Sequence, residues 1–200
     1  MSVNLLLAVV IGYLIGGIPT GIWIGRAVKG VDPRTVGSGS SGATNVSRLL
    51  GKQWAVVVLL LDALKGFLPV LFVASLLSDG TDATNIRVAT AIGAVIGHVF
   101  TPYANFRGGK GIATAAGAML ALDPKAVAIA LVVWLLVFVP FRRVSVASLC
   151  AALSLPIAIM VLGNRPTSIQ VASIILCLFL VFTHRQNIQR LIAGREKPIV

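Results

Sequence analysis

The chain has 200 residues, of which 57% are hydrophobic and 12% charged, and its mean hydropathy is +0.96. Soluble domains carry about 25% charge, so this composition excludes an ordinary soluble fold and calls for a lipid environment. The 17 Lys and Arg against 6 Asp and Glu do not point to a nucleic-acid partner, because the basic residues fall between apolar runs instead of forming a stripe on a soluble face.

A helix that crosses a bilayer needs about 20 mostly apolar residues. In chain order, such runs are predicted over residues 3–24, 54–77, 86–103, 111–122, 126–141, 145–162 and 167–182, the fourth too short for an ordinary span. No basic leader or small-residue cleavage site precedes the first run, so it is expected to stay. Loop charge decides between six and seven crossings. Seven crossings gather Arg26, Lys29, Arg34, Arg48, Lys52, Arg107, Lys110, Arg142, Arg143, Arg185, Arg190, Arg195 and Lys197 on one face. The other face keeps only Arg87, Lys125 and Arg165, while Lys65 lies within a helix. Without the fourth crossing, Arg142, Arg143 and the basic tail move to the poorly charged face, against the positive-inside tendency. The expected architecture is an all-α integral membrane protein of seven transmembrane helices, the fourth short, with the N-terminus outside and the C-terminus cytoplasmic. Residues 1–200 are expected to form a single polytopic domain. Turn formers at Ser78-Asp79-Gly80, Asp123-Pro124 and Gly163-Asn164-Arg165-Pro166 close the outer loops tightly, so chemistry belongs on the cytoplasmic face.

The loop after the first span reads Val36-Gly37-Ser38-Gly39-Ser40-Ser41-Gly42-Ala43-Thr44-Asn45-Val46-Ser47-Arg48. Glycines let the backbone aim N–H groups at an anion, hydroxyls add donors, and Arg48 adds a charged fork. It reads as a phosphate cradle. Gly37, Gly39 and Gly42 also satisfy the dinucleotide fingerprint, but that motif needs a strand before it, and this loop joins two membrane spans. A Walker A loop is a similar near miss, lacking its lysine. A flexible linker would leave Thr44, Asn45 and Arg48 at a helix start unexplained. In the second span, Asp62 and Lys65 are three apart on one helix face. Intramembrane charges turn toward partners in the bundle, as a structural ion pair or as a support for the phosphate loop.

The segment from Gly97-His98-Val99-Phe100 to Phe106-Arg107-Gly108-Gly109-Lys110-Gly111 is a basic, glycine-rich turn opening into a helix, a place where anions bind. Arg107, Gly109 and Lys110 are its candidate ligands; His98 reads as a hydrogen-bonded bundle histidine. Ser145 opens the sixth run after Arg142-Arg143, and His184 and Asn187, three apart after the seventh, are expected to share one helix face. Cys150 and Cys177 sit in apolar runs and are assigned no function. No metal site or cofactor is expected.

Taken together, these residues resemble the bacterial membrane acyl-phosphate:glycerol-3-phosphate acyltransferases, the PlsY family, over essentially the whole chain. The resemblance rests on residues 37–45, on Asp62, Lys65-Gly66 and Pro69, and on the Gly97–Gly111 segment, three motifs in order. It implies that Ser38, Thr44, Arg48 and Lys110 handle glycerol 3-phosphate and that Ser145, His184 and Asn187 are polar groups of the reaction centre. Gly37, Gly39, Ser40, Gly42, Asn45, Lys65, Arg107 and Gly109 complete the expected substrate-binding set. Ser40 stands where the family usually has Asn, and Arg107 where it usually has Lys; both keep a donor. The resemblance further implies a multi-pass protein of the bacterial inner membrane, acting as a monomer on glycerol 3-phosphate and acyl phosphate among membrane lipids. Direct transfer without an acyl-enzyme is expected. The rival from another class is a transporter of a phosphorylated solute, suggested by Asp62 and Lys65, but the chain shows no internal repeat. A membrane scaffold would leave both anion loops unexplained.

Overall fold

The computed structural model describes residues 3–78, 83–196 and 198–199. Asp79, Gly80, Asp82 and Lys197, assigned above to the first outer turn and the basic tail, lie outside the described residues. Among the described residues ten α-helices follow one another: α1 (Val3–Gly16), α2 (Thr20–Lys29), α3 (Ala43–Leu50), α4 (Lys52–Leu77), α5 (Ala83–Val99), α6 (Ile112–Leu122), α7 (Pro124–Phe141), α8 (Val144–Leu162), α9 (Thr167–Thr183) and α10 (Arg185–Ile192). Five stretches are long and apolar enough to cross a membrane: Val3–Lys29, Lys52–Leu77, Ala83–Ala104, Pro124–Phe141 and Val144–Leu162. A sixth is Thr167–Thr183 with Arg185–Ile192, bent by 57°, and Ile112–Leu122 is shorter. Leu136, Val161 and Leu178 are exposed, as suits a surface that faces lipid tails.

The chain divides into two compact units, Met1–Ala121 and Leu122–Val200. In the first unit α1 packs on α5, and α4 on α5 and α3. Small residues make the α1–α5 approach close: a Cβ at Gly12 or Gly16 would collide with the backbone at Thr90 or Ala94, and one at Gly93 or Gly97 with the backbone at Val9 or Tyr13. This is how membrane helices gain van der Waals contact where lipid offers no hydrophobic drive.

The first predicted helix is two. Pro19 cannot continue α1, and the carbonyls of Gly17 and Ile18 leave the helical ladder. Thr101 Oγ1 donates to Gly17 O at 2.5 Å and Lys65 Nζ to Ile18 O at 2.7 Å, so the break is satisfied by residues from α4 and from the segment after α5.

In the second unit α8 packs on both α7 and α9. Asp123 caps α7 by accepting from Ala126 N at 3.1 Å, and Arg165 closes an ion pair on its carboxylate at 2.5 Å while donating to Gly163 O. Burial raises the Asp123 carboxyl, but the Arg165 and Ala126 donors outweigh it and hold it below its ordinary value.

Candidate active site

The glycine loop is built around one side chain. Asn45, fully buried, accepts from Ser38 N at 2.9 Å and donates through Nδ2 to Pro33 O, Val36 O and Ser40 O at 2.6, 3.0 and 2.9 Å. Gly37 and Gly39 are left-handed, with φ of 59° and 69°, and a Cβ at Gly37 would strike Asn45 Oδ1; a larger residue there would dismantle the loop. Ser40 Oγ accepts from Gly42 N at 3.2 Å, and Gly42 caps α3. Arg48 is exposed, its stem 3.8 Å from the Gly37 Cβ direction.

The second loop is laid on His98. Asn105 and Phe106, both left-handed, turn the chain back so that Gly108 N donates to Val99 O at 2.9 Å and Gly109 N to His98 O at 3.2 Å. A Cβ at Gly109 would run into His98 Nε2. Behind it lies a buried polar cluster. Thr114 Oγ1 is 3.0 Å from His98 Nδ1, and Asp62 pairs with Lys65 at 2.8 Å while accepting from Thr20 Oγ1 at 2.5 Å. The half-buried Lys110 follows, just before α6.

Arg34 clips the two loops together. It grips Asp32 through Nε and NH2 at 3.0 and 2.7 Å and donates through NH1 to Ala104 O and Arg107 O at 2.8 and 2.9 Å. The hydrogen bond from Arg34 is the main reason that the Asp32 carboxyl is lowered to about 2. Asp32, Arg34, Thr35, Gly39, Asn105 and Arg107 line an open pocket of about 580 Å³.

In the second unit Ser145 Oγ donates to Glu196 Oε1 at 2.9 Å and Asn187 Nδ2 to the same oxygen at 2.5 Å. Ser145, His184 and Asn187 are all buried. His184 Nδ1 lies 2.8 Å from Leu180 O. A carbonyl only accepts, so Nδ1 carries the hydrogen of that contact. His184 stands at the junction where α9 ends at Thr183 and α10 starts at Arg185, and it caps the helix that carries Asn187, its carbonyl accepting from Ile188 N at 2.9 Å. Leu180 O takes Thr183 Oγ1 as well as the backbone N and Nδ1 of His184, and such crowding of one carbonyl bends a helix.

Of the expected ligands, Gly37, Ser38, Gly39, Ser40, Gly42, Thr44, Arg48, Arg107, Gly109 and Lys110 lie on or beside the two loops. Asn45 and Lys65 turn inward to protein partners. Sequence reasoning missed Asp32, Arg34 and Glu196 as organisers. Asp32-Pro33 is a turn starter whose side chain caps the Pro33–Thr35 turn by accepting from Arg34 N, a signal that was available. Glu196 is the chain's only glutamate.

Helices apolar enough to cross a bilayer, with two glycine-rich basic loops held in place by Asn45, Arg34 and His98, define a polytopic membrane protein. The glycerol-3-phosphate acyltransferase family model matches residues 6–194. The glycerol-3-phosphate acyltransferase of Aquifex aeolicus is 41% identical over 96% of this chain and 97% of that protein. Crystal structures of PlsY, an integral membrane glycerol 3-phosphate acyltransferase, are also similar. Its glycerol 3-phosphate form has a TM-score of 0.90 at 40% identity, covering 98% of this chain and 96% of that one. Its lysophosphatidic acid form gives 0.87 at 39%, covering 98% and 95%. The chain belongs to the glycerol-3-phosphate acyltransferase family, and it is an integral membrane acyltransferase.

Proposed function

We propose that this chain moves a fatty acyl group from an acyl phosphate to glycerol 3-phosphate, giving 1-acylglycerol 3-phosphate (lysophosphatidic acid) and inorganic phosphate. The observation that carries this reading is the pair of anion-accepting loops clipped together by Arg34. The acceptor follows from the family and from the glycerol 3-phosphate and lysophosphatidic acid forms of the related PlsY. The donor is read from this chain's own residues. Thioester-using glycerolipid acyltransferases pair a His with an Asp five residues on, a couple that activates the hydroxyl toward a less reactive carbonyl. Here Tyr103 stands five after His98 and Gln189 five after His184. An acyl phosphate needs no such couple, since phosphate is already a good leaving group.

In this reading Gly37, Ser38, Gly39, Ser40, Gly42, Thr44, Arg48, Arg107, Gly109 and Lys110 receive the phosphate of glycerol 3-phosphate. Asn45 and Lys65 hold the loops instead of touching substrate. Ser145, His184 and Asn187 orient the second substrate. The glycerol hydroxyl oxygen bonds to the acyl carbonyl carbon, the bond from that carbon to the phosphate oxygen breaks, and phosphate leaves with the electron pair. The hydroxyl proton goes to a substrate phosphate oxygen or to His184. Orientation supplies roughly 7–11 kcal/mol in favourable intramolecular cases, and the basic loops stabilise the developing charge.

Residues 1–200 act as one polytopic unit in this proposal, supported by a family match that runs through both compact units. The chain crosses a bacterial inner membrane seven times, with its N-terminus outside and its active site and C-terminus cytoplasmic. Reporter fusions at loop 79–82 and after Arg185 test the topology; a tail found outside removes the fourth crossing. The decisive experiment is turnover by purified protein in detergent with glycerol 3-phosphate and each donor. Acyl phosphate alone should support it, transport being impossible without a sealed compartment. Robust turnover with acyl-CoA would overturn the donor assignment.

A further inference from the structure

The tail after α10 returns a carboxylate to the polar centre of the second unit. Glu196 N and Arg195 N donate to Arg190 O at 3.1 and 2.7 Å, Arg143 Nε donates to Glu196 O at 3.0 Å, and Ile199 N donates to Arg142 O at 2.8 Å. So anchored, Glu196 Oε2 takes Arg190 Nε at 2.7 Å, and Oε1 takes both Ser145 and Asn187. The side chain of Glu196 is only 11% exposed. Burial raises its carboxyl, but donation from Arg190, Asn187 and Ser145 outweighs burial and keeps it below its ordinary value. It is a carboxylate at neutral pH, able only to accept.

That one-sidedness has consequences for its donors. A serine hydroxyl has a single hydrogen; with it on Glu196, Ser145 offers only lone pairs to anything else. An asparagine amide bound through Nδ2 to a carboxylate cannot flip, so its Oδ1 is turned away from Glu196. We propose that Glu196 is a positioning residue that fixes the polarity of Ser145 and Asn187, so that Ser145 meets substrate as a hydrogen-bond acceptor and Asn187 in one amide orientation. This rests on the reading that those two residues serve the transfer. It assigns the basic tail a part in the reaction through a residue that touches no substrate.

The test is a cycle of purified variants assayed in detergent with acyl phosphate and glycerol 3-phosphate. Glu196→Gln keeps the size, removes the charge and gives the site a donor that can face Ser145. It should lower kcat by about 10- to 100-fold, as loss of an outer partner that orients contacting groups does at metal sites, with KM for glycerol 3-phosphate nearly unchanged. In the Ser145→Ala/Asn187→Ala background the same change should alter kcat by no more than about twofold, because groups acting as a unit are not additive. A merely structural Glu196 would lower activity equally in both backgrounds and lower the melting temperature in step, and that result overturns the proposal. If Glu196→Gln does not accumulate, Glu196→Asp serves in the same cycle, since it keeps the charge but withdraws Oε1 from both donors. Full activity in Ser145→Ala/Asn187→Ala itself would instead overturn the assignment of those residues to the reaction, an outcome separable from failure at Glu196.

Discussion

The two units solve the same problem in opposite ways. In the first, Asn45, Arg34 and His98 grip or underlie loop backbone and so fix the course of two glycine-rich basic loops. In the second, the polar side chains themselves converge, and another side chain holds them. A cradle made of backbone needs glycines at fixed places, whereas a cradle made of side chains needs a partner that can arrive from anywhere in the chain. The first therefore tolerates no added Cβ at its glycines, whereas the second depends on each side chain that converges there.

Lys110→Ala should give the largest effect. It removes a cation beside the second loop and no core volume, so kcat/KM for glycerol 3-phosphate should fall about 100-fold, the value of a charge-assisted contact of roughly 2–3 kcal/mol. The loss should lie mainly in KM, with melting unchanged; unaltered kinetics in a folded variant would refute the anion-site reading. Asn45→Ala should follow. The Ser38 N–H and Ser40 O lose the amide, while Pro33 O and Val36 O each keep a backbone donor, at about 1–3 kcal/mol for each group left buried and unsatisfied. KM should rise more than tenfold and melting should fall, a combination that Lys110→Ala lacks. Equal melting losses in the two variants would erase the distinction between a group that meets substrate and one that holds the loop.

The sequence made the apolar spans and both glycine-rich loops legible because each is a local pattern. Residues 54–77 and 145–162 were read within two residues of α4 and α8, since hydropathy alone decides where lipid ends. The break at Gly17–Pro19 was hidden inside an unbroken apolar run, because what satisfies its freed carbonyls is Lys65 and Thr101, dozens of residues away. The bend between α9 and α10 at His184 has a local reason that spacing does not encode, the crowding at Leu180 O. Asn45 was recognised as part of the loop but read as facing a ligand; residue type cannot tell an amide that binds an anion from one that binds the loop around it. Glu196 lies 51 residues from Ser145, and no periodicity connects them.

The clip between the loops separates backbone shaping from charge more finely. Arg34→Lys keeps the cation but loses the planar fork that bonds Asp32 at two points while reaching Ala104 O and Arg107 O. KM for glycerol 3-phosphate should rise several-fold, with kcat nearly intact. If Lys serves as well as Arg, charge and not geometry joins the loops.

The smallest effect is in the acid range, and its sign is fixed by the same clip. Asp32 has its carboxyl lowered from 3.8 to about 2 in the folded protein, chiefly by the Arg34 hydrogen bond. A depressed carboxyl stabilises the fold above its unfolded value and ceases to do so as pH falls through the folded one. The contribution is thus whole at pH 5, fades between about pH 4 and 2, and is gone below. A shift of this size corresponds to about 2 kcal/mol, an upper figure for a pair at the protein surface. Asp32→Asn lacks the titration, so the melting difference between wild type and variant should be widest near pH 5 and close by pH 2. The carboxyl carbon of Asp32 should titrate near 2 by NMR. A midpoint near 3.8, or a melting difference that ignores pH, would mean that Arg34 holds the second loop without help from Asp32, and the two loops would then be joined by the carbonyls of Ala104 and Arg107 alone.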